Sequence, residues 1–366
     1  MKSKNKLITL FIILSFVFSI VPGISLAQEQ NQDQVLKARV TEVVSQEDRY
    51  LPVTQIKEVY QTIKADILEG DKKGKNVTIS DDYLKLKKGD TFYLIESVNP
   101  DTGDVRYAVH DKYRLPAIFF FVVLFVLSVF VFGGIQGVRG LVALIGSILL
   151  IFFVLVPSIL HGYSPILVTI GVSSLIIVLG SYVTHGFNKT TSSAVVGMIV
   201  TVLFTGFLAY YAVGMSGLSG FESEDAVYLN WNTNGTIDFV GLLFGGIMIG
   251  LLGVLYDVAI GQAVSVEELQ EAGLKDRKVI LKRVIRIGRE HIGALVNTLA
   301  IAYVGASLPL LLLFYSSGNN SILEVINREV FATEIIRTIV GSIGLVLAVP
   351  ITSIISTWML VKKSKV

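Results

Sequence analysis

The sequence predicts a polytopic α-helical membrane protein with a small, OB-like β-barrel domain near its N-terminal end. Of its 366 residues, 52% are hydrophobic and 16% are charged, and the mean hydropathy is +0.66. Soluble domains carry about 25% charged residues, so this composition is typical of a protein that lies largely in a membrane. The long apolar stretches fall in residues 115–366, whereas residues 28–114 are polar and alternate with a period of two.

Composition and motifs exclude several classes of function. The chain has no cysteine, which excludes disulfides, thiolate metal sites and a cysteine nucleophile. Its 31 basic and 29 acidic residues give a net charge of +2, so we expect no nucleic-acid partner. The four histidines form no HExxH motif, and neither a P-loop nor a GxSxG motif is present. We therefore expect no metal, no cofactor and no enzymatic activity.

Residues 1–27 have the pattern of a secretory signal peptide. Lys2, Lys4 and Lys6 form a basic start, residues 7–20 form an apolar run, and small residues suited to cleavage end at position 27. An uncleaved signal anchor is the alternative. Both versions deliver the following residues to the outer side of the membrane.

Residues 28–114 predict a compact β domain outside the membrane. Turn residues separate five alternating runs, at residues 35–44, 59–68, 75–80, 91–98 and 104–110. Five short strands are the number found in a small barrel such as an OB-like fold. Barrels of this kind bind oligomers in other proteins, but a fold alone does not specify a function. The simpler interpretation is a β module that packs on the membrane part or on a partner.

The C-terminal part, residues 115–366, predicts seven transmembrane helices. A helix needs about 20 mainly apolar residues to cross the hydrocarbon core of a bilayer. Pro157 and Pro165 mark a tight turn between the second and third helices. The predicted spans are residues 116–133, 141–157, 165–182, 194–213, 238–259, 293–314 and 335–360.

The distribution of basic residues between the loops predicts the orientation. Residues 134–140, 183–193, 260–292 and 361–366 contain twelve lysines and arginines, whereas the loops on the opposite side contain only Arg328. Lysine and arginine accumulate on the cytoplasmic side of membrane proteins. We therefore expect a plasma-membrane protein with its N-terminal domain outside and its C-terminus in the cytoplasm.

Glycines recur at helical spacing in the fifth and the last predicted spans. Small residues on one helix face let a second helix approach closely. We expect these glycines to be helix-packing positions rather than ligand contacts. They are Gly241, Gly245, Gly246, Gly250, Gly253, Gly341 and Gly344.

A few polar residues enter the predicted spans and form the candidate site. Asp257 lies near the cytoplasmic end of the fifth span, and Asn297 and Thr298 enter the sixth at a similar depth. Together they would form a polar pocket that opens inwards and suits a proton or a cation, because a carboxylate within a span usually faces the bundle or a wet cavity. An Asp257 side chain that reaches interfacial water is the alternative. Glu334 and Arg337 can pair on one face of the last helix, and structural pairing is their simpler role.

The loop between the fifth and sixth spans predicts two helices. Residues 265–268 form a capping box that starts the first helix, Gly273 ends it, and the second begins after Asp276. The second helix is amphipathic and basic, which predicts that it lies on the membrane surface with its arginines near anionic head groups. The alternative is that residues 264–292 dock a cytoplasmic partner. The apolar face comprises Ile280, Val284, Ile287 and His291.

Three sequence blocks resemble the YibE/F-like family of bacterial membrane proteins. They are GLLGVLYDVAI at residues 250–260, GREHIGALVNTL at residues 288–299, and EIIRTIVGSIG at residues 334–344, the last followed by VPIT at residues 349–352. Gly70 and the KGK at residues 73–75 extend the similarity into the polar domain, and Glu290 stands where many relatives have aspartate. The resemblance implies a multi-pass membrane protein that pairs with a homologous subunit or with itself. It implies no activity, substrate or cofactor.

The residues support two hypotheses about function. Polar residues on glycine-packed helices favour a permease-like protein that moves a small solute or ion, with the outer β domain as a gate or docking module. The alternative is a non-transporting scaffold or assembly factor whose outer domain recruits cell-envelope partners. In both cases the chain is embedded in a lipid bilayer, and the sequence does not predict a substrate.

Overall fold

A computed structural model describes residues 34–50, 57–82, 84–99, 102–316 and 321–362. The predicted signal peptide and the last four residues lie outside these ranges. The described chain forms two compact units: one ends at Val131 and contains the strands and the first part of the helix that begins at Leu115, and the other contains the helical chain from Phe132 onwards. The predicted combination of an N-terminal β domain and a mostly helical C-terminal part is therefore present.

The β domain is one antiparallel sheet of five strands. β1 (Gln34–Tyr50) lies at its centre, between β2 (Lys57–Ile67) and β4 (Thr91–Val98). β3 (Asn76–Asp82) and β5 (Val105–Lys112) are the edges, so the order is β3-β2-β1-β4-β5. Each strand overlaps one of the five alternating runs of the sequence, and the predicted number of strands is confirmed.

The sheet curls into a half-barrel rather than the expected closed barrel. Its edge strands β3 and β5 approach each other, yet no hydrogen-bonded ladder joins them among the described residues. Two register shifts in β1, between Val40 and Glu42 and between Val43 and Ser45, favour the curvature, because a bulge bends its strand and increases the local twist. Alternation in the sequence therefore indicates the strands, whereas the bulges affect how far the sheet curls.

Alternate residues of the strands form the core of the half-barrel. In β4, Phe92, Leu94 and Glu96 are buried while their neighbours are partly exposed. The residues at positions 61, 63, 65 and 67 of β2 are buried in the same way. Each fully buried large apolar side chain contributes about 1.5–3 kcal/mol, and every member of this core belongs to the β domain. The core comprises Leu36, Ala38, Val40, Ile63, Ala65, Ile67, Val77, Ile79, Leu86, Phe92 and Leu94.

Two ion pairs connect loop residues to the sheet. Lys72, in the turn before β3, donates to the buried carboxylate of Glu96, and this hydrogen bond raises the pKa of Lys72. The Nζ atom of Lys112 lies 3.0 Å from Asp90 Oδ2, and the backbone N–H of Lys87 donates to the same oxygen at 3.1 Å. Desolvation raises the pKa of Asp90, but these two hydrogen bonds outweigh it and hold that pKa below its ordinary value.

Long apolar helices make up most of the C-terminal part. They are α1 (Leu115–Leu150), α2 (Val156–Leu160), α3 (Pro165–His185), α4 (Lys189–Met215), α5 (Glu224–Asn232), α6 (Phe239–Glu271), α7 (Arg277–Ala306), α8 (Leu308–Ser316), α9 (Ile322–Ile326) and α10 (Glu329–Leu360). A π-helical turn, Ile151–Leu155, joins α1 to α2. Within the described ranges, five helical stretches are long and apolar enough to cross a membrane, and the bent pair of α7 and α8 is a sixth candidate.

The first two predicted spans lie in one continuous apolar stretch, Leu115–Leu160. Residues 134–140, which we expected to form a loop, are helical except for a break at Gly134, whose φ is +53°. Glycine adopts such a positive φ without steric cost. The sixth predicted span, residues 293–314, is divided between α7 and α8 by a bend of 66°. The described residues therefore contain five helical stretches and one bent pair, whereas the sequence predicts seven spans.

Helix α10 is the centre of the helical unit. It packs against α4, α6 and α7, and α6 also packs against α3 and α4. The facing side chains form one apolar core that includes Met198 of α4, Leu251 of α6 and Leu345 of α10. Helix α1, in contrast, has a single buried residue, Leu150. Its apolar side chains are available to lipid on nearly every side.

Helices α4 and α10 approach closely because a glycine faces a threonine at two crossing points. A Cβ atom on Gly344 of α10 would lie 2.6 Å from Thr205 Oγ1 of α4. A Cβ atom on Gly197 of α4 would lie 2.6 Å from Thr352 Oγ1 of α10. Neither distance leaves room for a methyl group. Small residues thus bring the two backbones together, as is common in membrane helix packing.

The capping box predicted at residues 265–268 does not start a helix, so this prediction is wrong. α6 continues through these residues to Glu271. The hydroxyl of Ser265 donates to the Gly261 carbonyl, one turn earlier, at 2.8 Å, and Val266 is fully buried. Packing of the helix interior therefore overrides a local sequence that is able to cap a helix.

The turn between α6 and α7 agrees with the sequence pattern. Gly273, with φ +92°, lies in the turn that follows α6. Asp276 caps α7, because its side chain accepts a hydrogen bond from the backbone N–H of Lys278 at 2.7 Å. α7 then continues to Ala306 as one helix, so its basic first half and its apolar second half share an axis.

Two members of the predicted apolar face of α7 pack on protein. Ile280 and Val284 are fully buried in a cluster with Val266 of α6 and Val361, which follows α10. Arg277 strengthens this contact, since its Nε donates to the Val361 carbonyl at 2.8 Å. The predicted apolar face is therefore divided: two members contact the ends of α6 and α10, and the other two are exposed. Its placement on the membrane surface stays a prediction.

The contact between α4 and α10 should be sensitive to a single methyl group. We expect Gly344→Ala to lower the free energy of unfolding by about 1–3 kcal/mol, because overpacking a close contact displaces its neighbours. Unfolding of the full-length chain in detergent measures the change. Gly253→Ala is the matched control, since a Cβ atom on Gly253 meets nothing within 4 Å and alanine is favoured in a helix. Equal losses in both variants would contradict the packing role of Gly344.

Acid should weaken the β domain through Asp90. Its folded pKa lies below the ordinary value of 3.8, so the pair with Lys112 stabilises the fold at neutral pH and loses this effect as the pH falls through the folded pKa. We expect acid to lower the free energy of unfolding by about 0.5–1 kcal/mol through this pair. This contribution should be absent in Asp90→Asn. Urea unfolding of residues 28–114 at neutral and acidic pH measures it. An NMR titration that places the pKa of Asp90 above its ordinary value would rule out this contribution.

Candidate functional site

The charged residues near the start of α10 form the candidate site. Arg337 lies eight residues after the first residue of α10, and its guanidinium is held between two carboxylates. Its Nη1 donates to Glu334 Oε1 at 2.9 Å, and its Nη2 donates to Glu222 Oε1, also at 2.9 Å. We refer to Glu222, Glu334 and Arg337 as the Arg337 cluster. The structure thus brings together Glu334 and Arg337, and Glu222, from a position 115 residues away, joins them.

The Arg337 cluster is largely shielded from solvent and carries a net charge of −1. The exposed fractions of the Glu222, Glu334 and Arg337 side chains are 24%, 25% and 20%. Two atoms of the cluster, Arg337 Nε and Glu222 Oε2, are buried and have no hydrogen-bond partner among the described residues. Buried polar atoms are nearly always paired with protein or ordered water. An unpaired donor and an unpaired acceptor in one cluster therefore suit a water molecule, a proton or a small polar solute.

A further carboxylate, Glu329, holds the segment that carries Glu222. Its Oε1 accepts hydrogen bonds from the Ser219 N–H at 2.6 Å, the Ser219 hydroxyl at 2.7 Å and the Gly220 N–H at 2.9 Å. Gly220 has φ +81°, and a Cβ atom there would overlap a neighbouring carbonyl group, so the turn requires glycine. The start of α10 therefore binds Glu222 through Arg337 and also fixes the turn that precedes Glu222.

Tyr303 of α7 lies next to the Arg337 cluster. Its hydroxyl contacts Gly250 of α6, where any Cβ atom would overlap it. Leu299, one turn before Tyr303, contacts Gly341 of α10, which lies one turn after Arg337. A phenol both donates and accepts hydrogen bonds. Helices α6, α7 and α10 therefore all contribute to the surroundings of the cluster.

The other predicted site residues are not joined to the Arg337 cluster. Asp257, Asn297 and Thr298 are exposed on α6 and α7. The Thr298 hydroxyl donates to the Ala294 carbonyl of its own helix at 2.9 Å. In the part of the chain that the structure describes, no hydrogen bond or ion pair links Asp257 to Asn297. The structure thus pairs Glu334 with Arg337 and leaves the other three side chains on the outer surface of the helices.

The predicted packing glycines fall into two groups. A Cβ atom on Gly246 or Gly253 would meet no described atom within 4 Å. The other five lie close to residues of other helices, so α6 contacts α3 on one side and α7 on another. The pairs are Gly241 with Pro165, Gly245 with Thr169, Gly250 with Tyr303, Gly341 with Leu299, and Gly344 with Thr205.

Buried hydroxyl and amide groups also connect the helices, away from the Arg337 cluster. Ser353 Oγ donates to Gln262 Oε1 at 2.9 Å, and Ser193 Oγ donates to Ser356 Oγ at 2.9 Å. All four side chains are buried. Hydrogen bonds of this kind stabilise helix association by about 0.6–1.7 kcal/mol. Their role is structural, because both partners of each pair are satisfied within the bundle.

Sequence reasoning missed three residues around the site: Glu222, Tyr303 and Glu329. Acidic residues are common in loops and at the first turn of helices, so neither glutamate stands out without its tertiary partner. For Tyr303 the available signal was Gly250, which predicted a close contact but not the residue that makes it. Within the described residues, no group of three or more histidine, cysteine, aspartate or glutamate side chains is placed to hold a metal ion.

Removing Arg337 should destabilise the helical unit more than removing the whole cluster. Arg337→Ala leaves two partly buried carboxylates without a counter-charge, so we expect a loss of about 2–3 kcal/mol in the free energy of unfolding. The triple variant Glu222→Gln, Glu334→Gln, Arg337→Met removes every charge and should recover most of that loss. Unfolding of the solubilised chain measures both.

The matched control for this comparison is Arg328→Ala. Arg328 lies 4.0 Å from Glu324 in an exposed pair, so its removal should cost less than about 1 kcal/mol. Equal destabilisation by Arg337→Ala and Arg328→Ala would show that the partial burial of the Arg337 cluster has no energetic consequence.

Comparison with known proteins identifies the family of the chain. A family model described as YibE/F-like protein matches residues 121–362, which is most of the helical part and about two thirds of the chain. No curated protein and no solved structure matches. Together with the long apolar helices, the match indicates a membrane protein. The matched segment includes Gly250, Tyr303 and the whole Arg337 cluster, and the chain belongs to the YibE/F-like family.

Proposed function

We propose that this member of the YibE/F-like family moves a proton or a small ion or solute across the membrane, with the Arg337 cluster as its outer binding site. One observation carries the proposal. The Arg337 cluster has a net charge of −1 and contains both an unpaired donor, Arg337 Nε, and an unpaired acceptor, Glu222 Oε2. Ionisable groups at lipid depth are costly and usually mark ion pathways or proton relays. The sign of the net charge favours a cation or a proton over an anion.

The cluster offers a way to couple binding to movement. Arg337 holds Glu334 of its own helix and Glu222 of the loop between α4 and α5. A proton or cation on Glu222 weakens its attraction to Arg337 and releases this part of the loop from α10. Glu329 keeps the preceding turn attached, so the movement is confined to the residues around Glu222. An element with two arrangements, biased by a ligand, is what such coupling requires.

We further propose seven spans, with the N-terminal domain outside and the C-terminus in the cytoplasm. Leu115–Leu160 has 46 residues, enough for about 69 Å of helix at about 1.5 Å per residue, and a hydrocarbon core is about 30 Å thick. The break at Gly134 divides this stretch into two parts of spanning length. The cations of the predicted inner loops favour this orientation in a plasma membrane, and the signal-like residues 1–27 fit export of the β domain.

Asp257, Asn297 and Thr298 belong to the proposal as an inner polar site. All three are exposed on the described helices, where a single copy of the chain would present them to lipid. A carboxylate that faces lipid is costly. We therefore propose that a homologous subunit or a second copy of the chain covers this surface, and that the pathway ends at the interface between the two.

Transport should depend on the charges of the cluster. The assay uses the full-length chain in proteoliposomes with a trapped pH-sensitive dye, challenged with pH gradients and with salts of monovalent and divalent cations. We expect flux above that of protein-free liposomes. Arg337→Ala and Glu222→Gln should each reduce it about tenfold or more, because the loss of one charge interaction changes the barrier by at least about 1.4 kcal/mol.

Arg328→Ala is the matched control for transport, because its pair with Glu324 is exposed. This variant should transport at the wild-type rate. No flux in the wild-type chain, or unchanged flux in both cluster variants, would count heavily against the proposal.

The β domain favours a second candidate function, a scaffold that recruits cell-envelope partners. The domain has its own core, and no ladder joins its edge strands β3 and β5 to each other among the described residues. Free strand edges can pair with a strand of another protein. A scaffold should lose its function on deletion of residues 28–114 and keep it in Asp257→Asn. A transporter should show flux that is sensitive to Asp257→Asn.

A further inference from the structure

We propose that Arg286 and Arg289 of α7 form a binding site for the head groups of anionic phospholipids. The site lies on the exposed face of the basic first half of α7. It is independent of transport, since it requires only that the apolar second half of α7 lies in a membrane. The ligand chemistry is a phosphate that carries a net negative charge at the surface of the bilayer.

The exposed face of this half-helix carries a row of cations without partners. Their side chains form no hydrogen bond or ion pair with an acidic side chain within the described chain, and the only acidic residue of α7 is Glu290. A clustered charge of one sign attracts counter-charges from outside the protein. The row comprises Lys278, Lys282, Arg283, Arg286 and Arg289, all exposed.

The opposite face of the half-helix is covered by protein. This determines the direction in which the cationic side chains of the row point. Ile280 and Val284 are buried between the ends of α6 and α10. Gly288 packs on the side chain of Gln262 of α6. Arg277 is the exception among the cations, because it donates to backbone carbonyls at the end of α10. The exposed cations therefore point away from the bundle, where a ligand can reach them.

The length of α7 places the Arg289 end of the row at the membrane surface. The stretch from Ile292 to Ala306 gives about 22 Å of helix. Helix α8, bent by 66° from α7, adds about 5 Å in the same direction. Together these lengths match a hydrocarbon core of about 30 Å. The boundary of the hydrocarbon on α7 therefore lies near Ile292.

Arg286 and Arg289 are the members of the row that reach the head groups. Arg289 lies about 4–5 Å and Arg286 about 9 Å beyond Ile292 along the helix, and the head-group layer is about 5–8 Å thick. Long basic side chains can also extend towards the interface. Lys282 and Lys278 lie about 15 Å and about 21 Å beyond the boundary. They are outside the head-group layer.

The residue types agree with this assignment. A guanidinium can bind a phosphate through two parallel hydrogen bonds, whereas a lysine ammonium acts as a point charge. In the row, the arginines occupy the end near the membrane and the lysines the far end. An acidic cytoplasmic protein, the competing occupant, would contact the row along its whole length. The two occupants therefore predict different roles for Lys278 and Lys282.

The test compares two variants that remove the same charge at different depths. The full-length chain is reconstituted in phosphatidylcholine vesicles with spin-labelled phosphatidylglycerol or spin-labelled phosphatidylcholine, and electron paramagnetic resonance gives the association constant of each lipid relative to the other. We expect the wild-type chain to prefer phosphatidylglycerol. Arg286→Gln/Arg289→Gln should reduce this preference about fivefold or more, since one basic residue near the surface contributes about a fivefold change. Lys278→Gln/Lys282→Gln should change it less than about twofold.

Two results of the lipid comparison would overturn the proposal. One is a wild-type chain with no preference for phosphatidylglycerol. The other is an equal loss of preference in both double variants, which would indicate a general charge effect or a surface shaped for an acidic protein. Salt provides a test that needs no folded variant: the wild-type preference should fall as NaCl rises from about 0.05 M to about 0.5 M, because screening shortens the reach of exposed charges. A preference that does not change with salt would also overturn the proposal.

Discussion

The close packing of α10 on α4 is the constraint on which the helical unit depends. Gly344 and Gly197 let these helices meet at contact distance, and α10 in turn packs against α6 and α7. Because α10 is central, the same packing places both of its ends. Near its start Arg337 meets Glu222, and beyond its end a backbone carbonyl accepts from Arg277. A displacement of α10 would therefore disturb both polar regions at once.

The charges of this protein divide into those held by the fold and those left for other molecules. In the β domain Lys72 is paired with the buried Glu96, and in the helical unit Arg337 is held between two carboxylates. The exposed cations of α7 have no such partners, although Arg277 on the same helix donates to backbone carbonyls at the end of α10. Burial accounts for this difference, because a charge removed from water requires a partner within the chain.

Sequence patterns predicted those features that depend on neighbours close in the chain. The period-two runs located all five strands, and the spacing of Glu334 and Arg337 predicted their pairing on one face of α10. Patterns failed where a distant residue changed the outcome. Ser265 begins a capping-box sequence but lies within α6. Ile280 belongs to a face whose spacing is typical of a membrane-surface helix, but its side chain packs against the ends of α6 and α10.

The sequence by itself determined that the chain has a polar β domain followed by apolar helices, since composition and periodicity are properties of short segments. It also determined the family, because the matching blocks are contiguous. Only the tertiary structure decided that Glu222 joins Arg337, that Tyr303 lies against Gly250, and that the cations of α7 face outwards. Each of these depends on residues far apart in the chain, whose meeting is set by helix packing and leaves no periodic signal in the sequence.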